Sequence, residues 1–402
     1  MTRLSQRGQV EPFHVMEVAK AAAVRQMTHG DAILLCVGQP ATPAPAVVRS
    51  AAAAAVTDQV LGYTMTPGLP ELRRTIAADY ALRHGVDVDP DDIVITTGSS
   101  AGFQLTALAA FDVGDRVALT RPGYPAYRNT LLALGCEVVD LPVGPETRFQ
   151  PSVAMLEALP QPPAGLVVGS PGNPCGTIID PLQLAEIATW CAAHDCLLIS
   201  DEIYSGISFG RESACVRQFG REAVVVGSVS KYHSMTGWRL GWLVLPAALR
   251  RPVELLQGNL AICAPAVSQA AALAAFGPAA RDELDGHVAR YARNRDLLLR
   301  RLPELGITRF APPDGAFYAW CDVRHLTDDS QRWCAEVLDA TGVALAPGPD
   351  FDPVAGHRMM RLSFCGETAE LQEALDRLIA YVNRGVSAPR AARGSGPADR
   401  SR

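Results

Sequence analysis

The sequence predicts an α/β protein with a large domain, built on a mainly parallel, doubly wound sheet, and a smaller α+β domain. Between residues 93 and 245, seven short apolar runs alternate with helical segments. Such alternation is typical of a parallel sheet that is covered by helices on both faces. After about residue 276 the pattern changes to a long charged helix and short strands. The length of 402 residues accommodates two or three domains.

The elements follow in order along the chain. Helical spacing over residues 12–30 and a short apolar run at 33–37 precede two helices, at 46–56 and 71–84. The large domain then has predicted strands at 93–97, 116–120, 137–140, 165–170, 196–200, 223–227 and 242–245, with helices at 101–111, 126–134, 152–159 and 181–194. The smaller domain has predicted helices at 280–302, 331–341 and 368–383, and strands at 316–322 and 359–364.

These elements predict four regions. Residues 1–45 form an N-terminal arm that joins the small domain, 46–275 the large domain, and 276–385 the small domain. Residues 386–402, rich in Arg, Ala, Gly and Ser, are expected to be a disordered tail.

The composition excludes several classes of protein. Hydrophobic residues make up 48% and charged residues 19%, which is the opposite of a disordered chain. A net charge of −6 gives no reason to expect nucleic acid or an anionic membrane as a partner. The apolar stretch at 260–276 is shorter than the roughly 20 residues of a membrane span, so we expect a buried helix there. The first 20 residues do not resemble a signal peptide.

The ten cysteines have no paired spacing. Cys191, His194 and Cys196 lie close together but do not match a zinc-binding pattern, so we expect no metal site. Free thiols indicate a reducing environment, and we expect a soluble cytoplasmic protein.

The chain has only two lysines, Lys20 and Lys231, beside 34 arginines. Arginine can replace lysine as a surface charge, but it cannot supply a nucleophilic amine. Lys231 follows directly after a predicted strand, with Arg239 eight residues later, and ligands of open α/β sheets bind beyond the carboxyl ends of the strands. A loop lysine in isolation is usually a solvated charge, but this context favours a site.

Three other strand ends carry polar groups. Asp201 ends one strand, Asn173 lies in a loop rich in proline and glycine, and Ser99 and Ser100 begin a helix, where free N–H groups bind anions. Each has a plainer interpretation: a helix cap, an ordinary turn and an N-cap. Together with Lys231 they match pyridoxal phosphate, which needs an amine, a carboxylate against its ring nitrogen and donors for its phosphate.

Four motifs now identify a resemblance. They are SPGNPCG (170–176), SDEIY (200–204), SVSK followed by GWRLGW (228–231 and 237–242), and MRLSF (360–364). Over about residues 10–385 the chain resembles the fold type I, class I/II aminotransferases of the aspartate aminotransferase superfamily, which use pyridoxal 5'-phosphate.

The resemblance implies a role for each cofactor-binding residue. Lys231 would form the internal aldimine and then move the proton between Cα and the cofactor. Asp201 would pair with the pyridine nitrogen, and Tyr204 and Asn173 would hydrogen-bond the phenolic oxygen. The ring would stack on Tyr124. The residues implied to hold the phosphate are Ser99, Ser100, Ser228, Arg239 and, from the neighbouring subunit, Tyr63, which implies a homodimer with shared sites.

The resemblance also implies the substrate contacts. Arg361 would bind the α-carboxylate in a two-pronged pair, assisted by the N–H of Gly38. Tyr124 and Asn173 would also face the substrate. Cys175 and Gln39 depart from the family's usual threonine and glutamate, and Gln39 lies near the substrate.

The predicted reaction is ping-pong amino transfer between an L-amino acid and a 2-oxo acid. The sequence weakly favours a neutral donor, such as valine or alanine, with pyruvate or 2-oxoglutarate, because no cation for a distal carboxylate can be assigned. An aspartate or aromatic aminotransferase and a carbon–sulfur β-lyase remain alternatives. A ligand-sensing regulator is not favoured, because we expect no DNA-binding domain before the loop of Gly38.

Overall fold

A computed structural model describes residues 3–386 of the chain. All of the predicted tail at 386–402 except its first residue lies outside the described residues.

The described residues form twelve strands and twelve α-helices. The strands are β1 (Ile33–Leu34), β2 (Ile93–Thr96), β3 (Arg116–Arg121), β4 (Glu137–Pro142), β5 (Gly165–Gly169), β6 (Leu197–Asp201), β7 (Val224–Ser228), β8 (Gly241–Val244), β9 (Tyr318–Asp322), β10 (Val343–Ala344), β11 (Ala346–Pro347) and β12 (Met359–Ser363). The helices are α1 (His14–His29), α2 (Ala46–Asp58), α3 (Pro70–His84), α4 (Gly98–Ala110), α5 (Pro125–Leu134), α6 (Val153–Glu157), α7 (Pro181–Ala193), α8 (Ala247–Leu260), α9 (Ala266–Ala272), α10 (Pro278–Arg301), α11 (Ser330–Thr341) and α12 (Thr368–Val386).

A seven-stranded sheet forms the centre of the molecule, in the order β2-β8-β7-β6-β5-β3-β4. All seven strands were predicted from their apolar runs. Six of them run parallel, and β8 is antiparallel to both of its neighbours. The reversed direction of β8 could not be read from its apolar pattern, which is the same for either direction.

The large sheet is buried on both faces because successive side chains of a strand point to opposite sides. Leu166 and Val168 of β5 belong to one buried cluster, together with Val225 of β7. Val167 and Val226 belong to a second cluster, on the other face. This double burial explains why the strands read as nearly continuous apolar runs.

Two smaller sheets lie in the second half of the chain. Strands β11, β12 and β9 form an antiparallel sheet, and β10 pairs in parallel with β1 from the N-terminal arm. Helices α10 and α12 pack on each other, and α12 also packs on α11. The domain boundaries at residues 45 and 275 stay a prediction.

The helical prediction needs two corrections. One buried helix over 260–276 is wrong: α9 begins only after Pro265, and Ile262 has a φ of 66°. Proline cannot occupy a helix interior without losing a hydrogen bond, which is why the stretch divides there. Helix α8 was not predicted, since it contains Pro252. Within the described residues no helix is both long and apolar enough to cross a membrane.

The backbone is closely packed around Gly241 at the start of β8. A Cβ there would lie 2.7 Å from the amide nitrogen of Ser99, 2.8 Å from the carbonyl oxygen of Gly227 and 2.9 Å from the carbonyl carbon of Gly98. Because these atoms are backbone, Gly241→Ala should cost about 1–3 kcal/mol through overpacking. Thermal unfolding of the unliganded variant measures this. Gly237→Ala is the matched control, since a Cβ there meets nothing within 4 Å; equal midpoints for the two variants would contradict the prediction.

Candidate active site

A cavity of about 310 Å³ opens at the carboxyl ends of the parallel strands. Ten of the twelve predicted site residues line it: Gly38, Ser99, Ser100, Tyr124, Asn173, Asp201, Tyr204, Lys231, Arg239 and Arg361. Ser228 and Tyr63 do not. The residue-by-residue roles stay predictions, but the structure brings most of the implied set to one place.

The direction of β8 brings Arg239 to this cavity. Lys231 follows the end of β7, and the chain returns as β8, with Gly241 opposite Ser228. The residue that precedes an antiparallel strand therefore lies at the same edge as residues that follow the parallel ones. A parallel β8 would place Arg239 at the opposite edge of the sheet.

The start of α4 forms a corner for an anion. The first N–H groups of any α-helix have no intrahelical partner, and here Thr97 provides no side-chain cap for them either. Gly98 has a φ of 76°, and a Cβ there would lie 2.5 Å from Nη2 of Arg239. Glycine thus lets the guanidinium approach the helix N-terminus, where an anion is favoured. Ser99 and Ser100 line the cavity beside it.

Ser228 is close to this corner in the chain but does not line the cavity. It is buried, and its Oγ donates to Oγ of Ser230 at 2.9 Å and accepts the Ser230 N–H at 3.0 Å. Ser230, in contrast, lines the cavity. Ser230 was not predicted as a site residue, although it lies in the same SVSK motif as Ser228.

Lys231 projects into the cavity, and its Nζ donates a hydrogen bond to the carbonyl oxygen of Gly38 at 2.7 Å. Burial lowers the pKa of its ammonium to about 8, and the positive charges of Arg361 and Arg239 act in the same direction. With this pKa roughly a tenth of the amine is neutral at pH 7, far more than for an ordinary lysine with a pKa of about 10.4, and the neutral form is the nucleophile.

Asp201 is buried at the end of β6, and burial raises the pKa of its carboxyl to about 7. Its Oδ1 accepts the N–H of Ile203 at 3.1 Å, and its Oδ2 accepts the hydroxyl of Tyr127. Tyr127, which lies in α5 three residues after Tyr124, was not predicted as a site residue. The segment contains two tyrosines, and the sequence does not show which of them has a hydroxyl that contacts the site.

Two tyrosines and a glycine join the large sheet to the smaller one. The hydroxyl groups of Tyr204 and Tyr318 are 2.8 Å apart. A Cβ on Gly38 would lie only 1.6 Å from the Tyr318 hydroxyl, so only glycine fits there. Tyr318 was also missed, because it reads as one of several apolar residues of β9.

Arg361 is almost fully buried in β12. Its Nη1 donates to Oδ1 of Asn173 at 2.9 Å and its Nη2 to the carbonyl oxygen of Cys36, whereas its buried Nε has no partner. The guanidinium lies 4.3 Å from the ring centre of Tyr318 and 4.7 Å from that of Phe351. A buried, charged and incompletely bonded guanidinium is suited to bind a carboxylate.

The N-terminal helix forms another wall of the cavity. Both carboxylate oxygens of Asp350 accept N–H groups at the start of α1, from His14 at 2.9 Å and Val15 at 2.8 Å. Phe13 and Val15 line the cavity, and Phe13 meets the ring of Tyr124 edge-on at 6.3 Å. A carboxylate 336 residues away thus holds an apolar segment over the site.

Comparison with known proteins identifies the family. The chain matches the family described as aminotransferase class I and II over residues 30–378. The chain belongs to the class I and II aminotransferases. It is 55% identical to valine–pyruvate aminotransferase of Mycobacterium tuberculosis, over 94% of this chain and 98% of the relative.

Solved structures agree with this. An aminotransferase from Mycobacterium tuberculosis matches with a TM-score of 0.94 and 54% identity, over 96% of this chain and all of that chain. Aspartate aminotransferase from Thermus thermophilus with maleate matches with a TM-score of 0.89 and 30% identity, over 94% and 100%. The predicted family and fold class are confirmed, and the protein is a transaminase. Its family is in general dependent on pyridoxal phosphate.

The cavity fits that cofactor. The uncapped start of α4 and Arg239 would hold the phosphate, Asp201 would face the ring nitrogen, and Lys231 would supply the amine. Tyr204 and Asn173 offer hydrogen bonds from the cavity wall. The donor set therefore matches each polar part of the cofactor.

The lowered pKa of Lys231 predicts the pH dependence of cofactor capture. Only the neutral amine can attack the aldehyde, so the capture rate of the unliganded protein should rise with pH and level off above a midpoint near 8. Stopped-flow absorbance between about pH 6 and about pH 10 measures the midpoint, with Lys231→Ala as the control that forms no covalent link. A midpoint near the ordinary lysine value of about 10.4 would contradict the prediction.

Proposed function

We propose that this transaminase moves the amino group of valine, or another neutral aliphatic L-amino acid, to pyruvate, with pyridoxal 5'-phosphate as cofactor. One observation supports the neutral donor above all others: among the described residues, every cation that lines the cavity already has a partner or an assigned role. A dicarboxylic amino acid would bring a second charge that none of these groups is free to meet.

Four cations of the described part of the chain line the cavity. Lys231 is the amine, and Arg239 lies at the phosphate corner. Arg361 faces the α-carboxylate position. The fourth, Arg128, forms an ion pair with Asp140 through its Nη2. Burying an unpaired carboxylate costs several kcal/mol, so an acidic side chain is disfavoured here.

Apolar side chains form a large part of the remaining wall, beside polar ones such as Gln39 and Gln150. The side chains of Phe13, Val15, Val37, Phe149 and Phe351 line the cavity. Transfer of each buried CH₂ group from water to such a wall contributes about 0.8 kcal/mol. This lining favours an aliphatic side chain, and the relative that is 55% identical is named valine–pyruvate aminotransferase.

The residues divide the work of the reaction. When bound, pyridoxal phosphate supplies an electron sink for the pair left on the substrate Cα after its proton is removed. Nζ of Lys231 removes and returns that proton. The carboxylate of Asp201 keeps the ring nitrogen protonated, and Arg361 fixes the substrate carboxylate so that Cα faces Nζ. The apolar wall with Phe13 excludes water from the reacting atoms.

The same proposal includes a homodimer in which Tyr63 reaches the partner's site. Tyr63 is 83% exposed and does not line the cavity of its own chain. Val60 and Met65, which are close to Tyr63 in the sequence, and Leu260 and Ile262 also expose apolar side chains. Exposed apolar side chains that cluster are typical of an interface with another chain. We further propose a cytoplasmic location, because all ten cysteines are free.

The first test is a half-reaction with single amino acids. Valine should abolish the visible absorbance of the cofactor linked to Lys231, and pyruvate should restore it with formation of alanine. Alanine should act as a donor too, whereas aspartate and glutamate should be at least about 100-fold poorer in kcat/KM, equivalent to about 2.7 kcal/mol.

Other results of this half-reaction would support one of the alternative activities. A response to aspartate equal to that of valine would refute the neutral-donor proposal. A preference for phenylalanine or tyrosine would indicate an aromatic aminotransferase. Release of pyruvate and ammonia from cystathionine without an added 2-oxo acid would indicate the β-lyase.

Mixed dimers test the shared site. Lys231→Ala should abolish transamination, and Tyr63→Ala should weaken cofactor binding. In a mixed dimer of these two variants, one site contains both substitutions and the other contains neither. The mixed dimer should therefore recover wild-type cofactor affinity at one site, measured by titration after tandem-tag purification. Absence of any recovery would show that Tyr63 acts within its own chain, and wild-type cofactor affinity in the Tyr63→Ala homodimer would show that Tyr63 has no role.

A further inference from the structure

The hydrogen bond between Tyr127 and Asp201 is not explained by the roles described so far. Tyr127 lies in α5 and its hydroxyl donates to Oδ2 of Asp201 at the floor of the cavity. Its ring is fixed by two neighbours, Phe103 at 4.9 Å between ring centres and Tyr124 at 5.3 Å. The hydroxyl is therefore held in place by packing and aimed at Asp201, the carboxylate that would face the ring nitrogen of the cofactor.

We propose that Tyr127 is a positioning residue that keeps the Asp201 carboxylate ionised and oriented toward the cofactor's ring nitrogen. This inference rests on the proposed use of pyridoxal phosphate. It does not depend on which amino acid is the substrate.

The need for such a donor follows from burial. Asp201 is only 7% exposed, and burial disfavours its charged form. The neighbouring carboxyl of Glu202 disfavours it further, while Lys231 favours it. The hydrogen bonds given to this carboxylate by the described residues come from the N–H of Ile203 and the hydroxyl of Tyr127. Loss of the Tyr127 donor would therefore favour the neutral acid, which binds a protonated ring nitrogen poorly.

The carboxylate can accept both partners at once. An ionised carboxyl has two oxygens and about four lone-pair positions. The hydroxyl of Tyr127 and the N–H of Ile203 use two of these, and the others are available to a ring N–H. Among the other ionisable groups around Asp201, Tyr124 and Tyr204 are tyrosines, whose raised pKa values keep them neutral near pH 7. They do not compete as charges.

The hydroxyl can be separated from the ring by one substitution. Tyr127→Phe keeps the contacts with Phe103 and Tyr124 but removes the donor. A hydrogen bond to a charged group is worth about 1.5–3 kcal/mol, so the cofactor dissociation constant should rise about 10- to 100-fold. Titration of the unliganded variant with pyridoxal phosphate, followed by absorbance, measures this without any substrate.

The matched control removes a buried hydroxyl elsewhere. Tyr80 is also buried, and its hydroxyl accepts the Nε1–H of Trp242 at 3.0 Å, outside the cavity lining. Tyr80→Phe should leave the cofactor dissociation constant within about twofold. Equal constants for Tyr127→Phe and wild type would overturn the proposal, because ring packing alone would then explain Tyr127.

A double-mutant cycle shows whether Tyr127 acts through Asp201. In an Asp201→Asn background, the further change Tyr127→Phe should alter the dissociation constant less than about twofold. A second full 10- to 100-fold loss would overturn the proposal, since Tyr127 would then act independently of the carboxylate. The pH midpoint of the cofactor absorbance should also move upward in Tyr127→Phe, and an unchanged midpoint would count against the role.

Cofactor binding and the reaction with valine separate a failure of the proposed function from a failure of the role proposed for Tyr127. If wild-type protein binds no pyridoxal phosphate, the proposed function and this inference fail together. If it binds the cofactor but valine gives no reaction, only the proposed substrate fails, and the cycle remains a full test of Tyr127.

Discussion

The site depends on the pairing of two neighbouring parallel strands. Asp201 ends β6, and the loop with Lys231 follows β7, which is hydrogen-bonded to β6 with Asp201 opposite Val226. Parallel neighbours lie about 4.8 Å apart, so backbone hydrogen bonds hold the acid and the amine at one edge. Asp201 is buried and Lys231 half-buried there, and this desolvation moves the pKa of the acid up and that of the amine down. One backbone constraint thus determines both the position and the proton affinity of the two groups.

The substrate-binding side comes from a different sheet. Arg361 belongs to β12, and Gly38 follows the segment that pairs with β10. Hydrogen bonds that connect this side to the large domain include those of Lys231 with the carbonyl of Gly38, of Tyr204 with Tyr318, and of Arg361 with Asn173. The distance between the amine and the Arg361 guanidinium, which we propose binds the substrate carboxylate, is therefore set by packing between sheets, and a small displacement there would change the position of Cα.

The sequence predicted the strands well because each is buried on both faces and reads as an apolar run. It singled out Lys231 because the chain has only two lysines and this one follows a strand. Asp201 was singled out because it follows a predicted strand, and Arg239 because it comes eight residues after Lys231. It did not reveal Tyr127, because its hydrogen bond joins α5 to β6 across 74 residues and no sequence motif relates the two positions. The resemblance supplied Arg361, which is one of 34 arginines and has no local signal that distinguishes it.

The capping of α1 was equally hidden, and it matters for selectivity. Asp350 binds two N–H groups across 336 and 335 residues, and this contact places Phe13 over the cavity. Under the proposed function, the resulting cavity would discriminate between donors by charge far more than by size. An unpaired carboxylate would cost several kcal/mol, whereas valine gains over alanine only about 1.6 kcal/mol from two buried CH₂ groups, or about 15-fold. Under the proposed function, the cavity would reject acidic donors and accept several aliphatic ones, so selection among neutral amino acids would depend on how closely the capped helix packs against the side chain.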